Sequence, residues 1–83
     1  MKIYTIVYYA DTVLTYYGTL EDCMKYAERH CCGCNGSILI KLNNVVVASQ
    51  PWYIKEDAAG EYEVPGEWHV SDDYKRLKYN GWV

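Results

Sequence analysis

The chain has 83 residues, 51% hydrophobic and 23% charged, with six Gly and two Pro. That length leaves no room for a large cleft between domains, and that composition argues against a disordered segment. A formal charge of −3 and a pI near 5.2 count against a general nucleic-acid binder, so no direct nucleic-acid binding is expected.

Ten Tyr and three Trp stand beside no Phe, so every aromatic ring carries a polar handle. Such rings suit half-buried positions and interfaces, where one edge is dry and the other wet. No apolar run approaches the ~20 residues that span a bilayer. The start, Met1-Lys2-Ile3-Tyr4-Thr5-Ile6-Val7, lacks a small-residue cleavage site and is punctuated by Tyr and Thr. A cytoplasmic location, no membrane partner and reduced cysteines are the expectation.

Residues 2–10 and 12–17 are rich in β-branched and aromatic residues, with a break at Ala10-Asp11. They read as a β-hairpin. A two-residue turn would put Ile3, Thr5, Val7 and Tyr9 on one face with Leu14 and Tyr16. Tyr4, Ile6, Tyr8, Val13 and Tyr17 would then line the other, and either face could be the inner one. A helix follows. Thr19 is its N-cap, Glu21 and Asp22 favour its first turn, and Leu20, Cys23, Met24, Ala27 and Cys31 form one apolar stripe. Gly33 stands where a left-handed residue would stop it.

A second hairpin joins residues 37–42 to 45–49 through Asn43-Asn44, two residues that tolerate positive φ. Pairing Leu42 with Val45 puts Ile38, Ile40, Leu42, Val45 and Val47 on the face that meets the helix stripe. Pro51 lacks a backbone donor, so the strand is expected to bulge or become an edge there before Trp52-Tyr53-Ile54 resumes it. Residues 57–60 read as a turn, 61–64 as a short strand stopped by Pro65-Gly66, and 68–70 as another strand. Ser71-Asp72-Asp73 caps a brief helix through Leu77 or forms a loop. The expected fold class is α+β: a single domain over residues 1–83, ββαββ, its antiparallel sheet packed on one helix, plus a short C-terminal strand or turn. Residues 1–55 form the hairpin–helix–hairpin core, and residues 56–83 the acidic, aromatic-containing segment.

The charge is unevenly placed. Glu56, Asp57, Glu61, Glu63, Glu67, Asp72 and Asp73 fall in one stretch that holds no Lys or Arg. Tyr62 and Trp68 are interleaved with these acids. Carboxylates along such a segment could decorate a solvated loop, or could complement Lys and Arg that normally hold phosphates, with the aromatics as desolvated anchors.

Four further chemistries are weighed against that reading. Cys23, Cys31, Cys32 and Cys34 with His30 invite a zinc site, with His69 as the distant ligand. Cys23 and Cys31 would lie roughly 12 Å apart along a helix, too far to share an ion, and the distant second half of a site could only be His69. No metal and no cofactor are therefore expected; buried thiols acting as small hydrophobes are the favoured reading, since a helix C-terminus disfavours the thiolate of Cys32 or Cys34. The chain carries no P-loop, Rossmann fingerprint or GxSxG, so no enzyme activity and no catalytic residue are expected. Tyr4, Tyr8 and Tyr17 on an exposed sheet face would make a stacking platform for single strands, but only Lys2, Lys41 and Lys55 accompany them.

The order hairpin, "GTLEDCMKYAERHC" helix, hairpin resembles the small α+β inhibitor proteins that bacteriophages encode, the anti-CRISPR type among them. The resemblance covers residues 1–55 in architecture and assigns no residue a role. It implies a non-enzymatic inhibitor that occludes a site on a larger host protein or ribonucleoprotein complex. The acidic segment would then mimic nucleic-acid phosphates. The partner-binding residues expected on this reading are Glu56, Asp57, Glu61, Tyr62, Glu63, Glu67, Trp68, Asp72 and Asp73. The alternative is a small structural or assembly module, homodimeric through an edge strand and a tyrosine face or stabilised by zinc.

Overall fold

The period-two alternation of the first eighteen residues sets the first two strands, β1 (Lys2–Tyr8) and β2 (Thr12–Gly18). In a computed structural model, which describes residues 1–9, 12–31, 33, 36–72 and 74–75, they pair antiparallel with Tyr8 opposite Thr12. The connection is therefore three residues long, not two, and the register differs from the expected one. Tyr9 enters it at φ 39°, and its carbonyl accepts from both the amide and the hydroxyl of Thr12. A one-residue change in a loop moves one strand's side chains to the other face. The inner face is consequently Tyr4, Ile6 and Tyr8 with Leu14 and Tyr16, while Ile3, Val7, Val13 and Tyr17 point outward.

Helix α1 (Leu20–His30) begins as the sequence predicts: the Thr19 hydroxyl accepts from the Asp22 amide at 3.2 Å. Leu20, Cys23, Ala27 and Cys31 are buried, with Met24 packed beside them. The helix ends differently from expectation. Cys31 leaves it in an extended conformation (φ −112°, ψ 153°), its amide still bonded to the Ala27 carbonyl, and no left-handed Gly33 is used. Tyr26 stacks at 5.1 Å on Tyr16 of β2 and at 4.6 Å on His30, which ties the helix to the hairpin.

Strands β3 (Ser37–Leu42) and β4 (Val45–Asp57) meet at Asn43-Asn44, both at positive φ (51° and 67°), the geometry of a type I′ turn. Lys41 pairs with Val46 but Ile40 pairs with Ala48, so Val47 is an extra residue in β4. This bulge turns both Val47 and Ala48 inward and sets the phase of everything after them. Ile38, Ile40, Leu42 and Val47 are buried as expected; Val45, at the hairpin tip, is exposed. Pro51 does not interrupt β4. It pairs with Ser37 at the end of β3, and beyond it β4 has a free edge on that side.

Strand β5 (Gly60–Pro65) pairs with residues 52–57 of β4, and β6 (His69–Val70) with Ala48 and Ser49. Gly66, Glu67 and Trp68 there oppose Gln50 and Pro51, a second bulge. The sheet order is β2-β1-β3-β4-β5, with β6 also on β4, antiparallel throughout, and one helix on one face. The chain is thus α+β and mostly sheet, with β5 and β6 lengthening the expected order to ββαββββ. Ser71 starts a short turn by accepting from the Tyr74 amide. Asp73 and the predicted continuation from Arg76 through Leu77 lie outside the described residues, as do Ala10-Asp11, Cys32 and Cys34.

Ile6, Ile38, Ile40, Val47, Leu20 and Cys23 are fully enclosed between sheet and helix. Each large aliphatic side chain there contributes about 1.5–3 kcal/mol. The molecule is elongated, 49 × 21 × 18 Å, and its radius of gyration of 13.7 Å exceeds the ~12 Å of a globular chain this long.

Candidate partner-binding ribbon

The acidic segment is not an irregular loop. Residues 52–57 and 60–65 form a two-stranded ribbon that continues past the end of β3 for six residue pairs, about 20 Å at the usual strand rise. Its turn is built by Asp57, whose Oδ1 accepts from the Ala59 amide at 2.8 Å, and by Gly60 at φ 122°. From Tyr53 to Tyr62 every residue is exposed, including Ile54 at 67% and Tyr53 at 55%. An isolated two-stranded ribbon is marginal in water, so its base must be held.

Gln50 holds it, a residue the sequence reading passed over. The Val47 bulge turns this side chain into the core, where it is 0% exposed. Its Nε2 donates to Glu28 Oε1 of the helix (3.3 Å) and to the Gly66 carbonyl at the second bulge (3.1 Å), and its Oε1 accepts from Trp52 Nε1 (3.3 Å). Both donor hydrogens and the carbonyl are used, so the buried amide is satisfied. The Gly66 amide adds a 2.7 Å bond to the Pro51 carbonyl. Trp52 is fixed from behind as well. A Cβ on Gly33 would stand 2.1 Å from Trp52 Cδ1, so Gly33 is required for the indole to lie against the chain after the helix.

Cross-strand partners share a face, so the register sorts the acids. Trp52, Ile54 and Glu56 lie with Pro65, Glu63 and Glu61 on one face, continuous with Gln50 and hence on the helix side. Tyr53, Lys55 and Asp57 lie with Val64, Tyr62 and Gly60 on the other. Three carboxylates thus concentrate on one side, with Glu56 directly opposite Glu61, an arrangement that destabilises a ribbon. The single positive charge, Lys55, is on the reverse. Among the described residues none of these carboxylates is in an ion pair; Asp72 alone of the expected acids approaches a cation, Lys75, at 4.0 Å on the exposed terminal turn.

The remaining expected residues are dispersed. Asp57 and Tyr62 belong to the reverse face, Glu67 to the bulge at the ribbon base, and Asp72 to the terminal turn. Trp68 is no exposed anchor: it packs half-buried against the core with its Nε1 enclosed. Asp73 lies outside the described residues. One surface of nine residues is therefore replaced by a compact face of three acids, Glu56, Glu61 and Glu63, with Ile54.

The tyrosine platform is not formed. Tyr4 is buried and Tyr8 faces the helix side, whereas Tyr17 is exposed on the opposite face. Burial pushes the Cys23 thiol up to about 12, with Cys31 adding to it, and raises Cys31 likewise; both are free thiols of the core. Among the described residues no three His, Cys, Asp or Glu side chains gather as metal ligands, and no helix is long and apolar enough to cross a membrane. No protein-family model, curated protein or solved structure matches the chain.

Proposed function

We propose that the chain is a non-enzymatic, stoichiometric binding protein, an inhibitor of the kind phages encode. It would block a nucleic-acid-handling bacterial defence complex such as a CRISPR effector. The carboxylates of Glu56, Glu61 and Glu63 would pair with Arg and Lys that otherwise hold target DNA or guide RNA. The observation that carries this reading is the ribbon: an exposed projection with like charges set directly against each other, which folding alone does not require. Local rules are broken in this way where a surface serves a partner. Three acids on one rigidly based face also give the long-range attraction that speeds encounter with a basic groove.

The test is competition. A purified CRISPR effector ribonucleoprotein is titrated with the chain, and target-DNA binding is read at 50 and 300 mM salt. Inhibition that weakens with salt, and falls stepwise as Glu56, Glu61 and Glu63 are changed to Gln, supports the reading. Inhibition unchanged in the triple variant removes the ribbon from it.

A second reading, a small assembly module, has its own observation. Edge strand β2 carries no charged residue and no Pro, and its outward side chains Val13 and Tyr17 are 56% and 65% exposed. Such an edge is open to antiparallel pairing with a second copy. Light scattering at 10 and 200 μM distinguishes the two: a concentration-dependent dimer lost in Thr15→Lys favours the module.

A further inference from the structure

Two hollows of about 200 and 180 Å³ share Ile54 and Glu63, which lie on the inner face of the ribbon, in their linings. The first runs inward to Gly33, Gly36 and Trp52, and the second outward to Glu61 and Tyr62. Glu63 lines both, and its Oε2 is enclosed and has no hydrogen-bond partner among the described residues. A carboxylate oxygen withdrawn from water without a donor is costly, by about 1–3 kcal/mol or more. Among the described residues no donor reaches it: Trp52 Nε1 and both hydrogens of Gln50 Nε2 are committed elsewhere, and the enclosed Trp68 Nε1 is not bonded to it.

We infer that this groove receives one arginine side chain of the partner, with Glu63 as its acceptor. The inference rests on the ribbon being the docking surface, and it names the group that docks there. The lining matches arginine in three respects. Among the described residues its charged side chains, Glu61 and Glu63, are both negative, so a cation is the complement. Its walls, Trp52 and Ile54, are apolar and would cover the methylene stem and the weakly hydrated face of a guanidinium. The indole wall is immobilised by its bond to Gln50, which suits a planar group that stacks and donates in a fixed fork better than a strongly hydrated ammonium. The guanidinium would donate to the Glu63 carboxylate, with a turn of that side chain bringing Oε2 to the groove, and would reach Glu61 at the mouth. An effector arginine that grips phosphate would thus be taken out of action individually, not merely screened.

The experiment uses peptides as probes. The ¹⁵N-labelled protein is titrated with acetyl-(Gly-Arg)₃-amide and with the matching lysine and citrulline peptides, at 20 and 150 mM salt. The expected result is that the arginine peptide shifts the Trp52 indole and the Ile54 and Glu63 amides, and binds at least about fivefold tighter than the lysine peptide. Citrulline should not bind. Glu63→Gln should weaken the arginine peptide about tenfold or more, Glu61→Gln only about two- to threefold. Ile54→Ser, at a position too exposed to threaten folding, should erase most of the arginine-over-lysine preference. Equal binding of the two basic peptides, with E63Q no worse than E61Q, overturns the groove while leaving an acidic ribbon that binds by charge. Failure of both peptides to perturb the ribbon at low salt overturns the groove too, and the effector competition assay then decides separately whether the ribbon is a docking surface.

Discussion

The two halves of β4 obey different rules. Between Val45 and Pro51 the strand pairs with β3 on one edge and, at Ala48 and Ser49, with β6 on the other, and side chains such as Val47 and Ala48 are wholly enclosed. From Trp52 to Asp57 its one strand neighbour among the described residues is β5, and from Tyr53 onward its side chains turn to water. One continuous backbone therefore runs from a region selected for packing into one whose charges oppose its own pairing. Stability should reside in the first half and recognition in the second, with Gln50 at the boundary. This separation is open to attack by mutation.

The largest effects belong to the core. Ile40→Ala should cost about 2–5 kcal/mol, enough to unfold much of a domain this small, whereas Ile54→Ala on the same sheet should stay within about 0.5 kcal/mol. Urea denaturation of the pair measures both. Comparable losses would mean that the ribbon is part of the cooperative core and that the contrast is false.

The boundary comes next. Gln50→Leu keeps the volume but strands the Gly66 carbonyl and the Trp52 indole, and should cost about 1–3 kcal/mol. Gly33→Ala forces the indole aside and should cost a similar amount. Hydrogen exchange provides the sharper readout. Both variants should accelerate exchange in residues 52–65 far more than in β1 and β3, because these contacts anchor the base of the ribbon. Uniform acceleration would count against a localised anchor.

The same boundary marks how far the sequence could be read. The helix stripe, the Thr19 cap, the Asn43-Asn44 turn and the inward set Ile38, Ile40 and Leu42 were legible because each rests on a local period or a local turn residue. The β1–β2 face assignment failed because it depended on whether the loop held two residues or three, which Ala10-Asp11 does not specify. Gln50 was missed for a related reason. Two bulges, at Val47 and at Gly66–Trp68, shift the alternation, and bulges follow from pairing partners distant in sequence. The sequence showed that the acids were concentrated, but not that Glu56, Glu61 and Glu63 share a face while Asp57 and Tyr62 turn away. That division needs the register. A useful signal was present in the order Ile54-Lys55-Glu56 against Glu61-Tyr62-Glu63: about a two-residue turn, equal spacing places the acids together.

Alkaline pH probes the core through its buried acids, Cys23 and Tyr4. Cys23 is pushed up to about 12 by burial first and Cys31 second, and Tyr4 to about 12 by burial and then by Tyr74. Both groups are neutral when protonated and ionise at lower pH once unfolded, near 9 and 10. Their contribution is therefore intact below pH 9 and is lost as pH rises toward 12, with a slope of about 1.4 kcal/mol per pH unit for each proton. Cys23→Ala should flatten the decline between pH 9 and 10, where Cys23 titrates ahead of Tyr4 in the unfolded chain. A stability curve that is equally steep with and without Cys23 would contradict the burial assigned to it.

The smallest effect discriminates best. Glu56→Lys replaces a like-charged cross-strand pair with an attractive one opposite Glu61, and should raise the unfolding midpoint by about 1–4 °C. The same change reverses one of the three charges offered to a basic partner, and should weaken inhibition of an effector more than Glu56→Gln does. Stability and binding would then move in opposite directions at one exposed position. A protein shaped only by folding has no reason to keep Glu56 facing Glu61, because a single substitution relieves the repulsion without disturbing a packed atom. If Glu56→Lys left inhibition intact while stabilising the chain, the carboxylate face would lose its functional explanation. The repulsion would then stand as a defect of the ribbon.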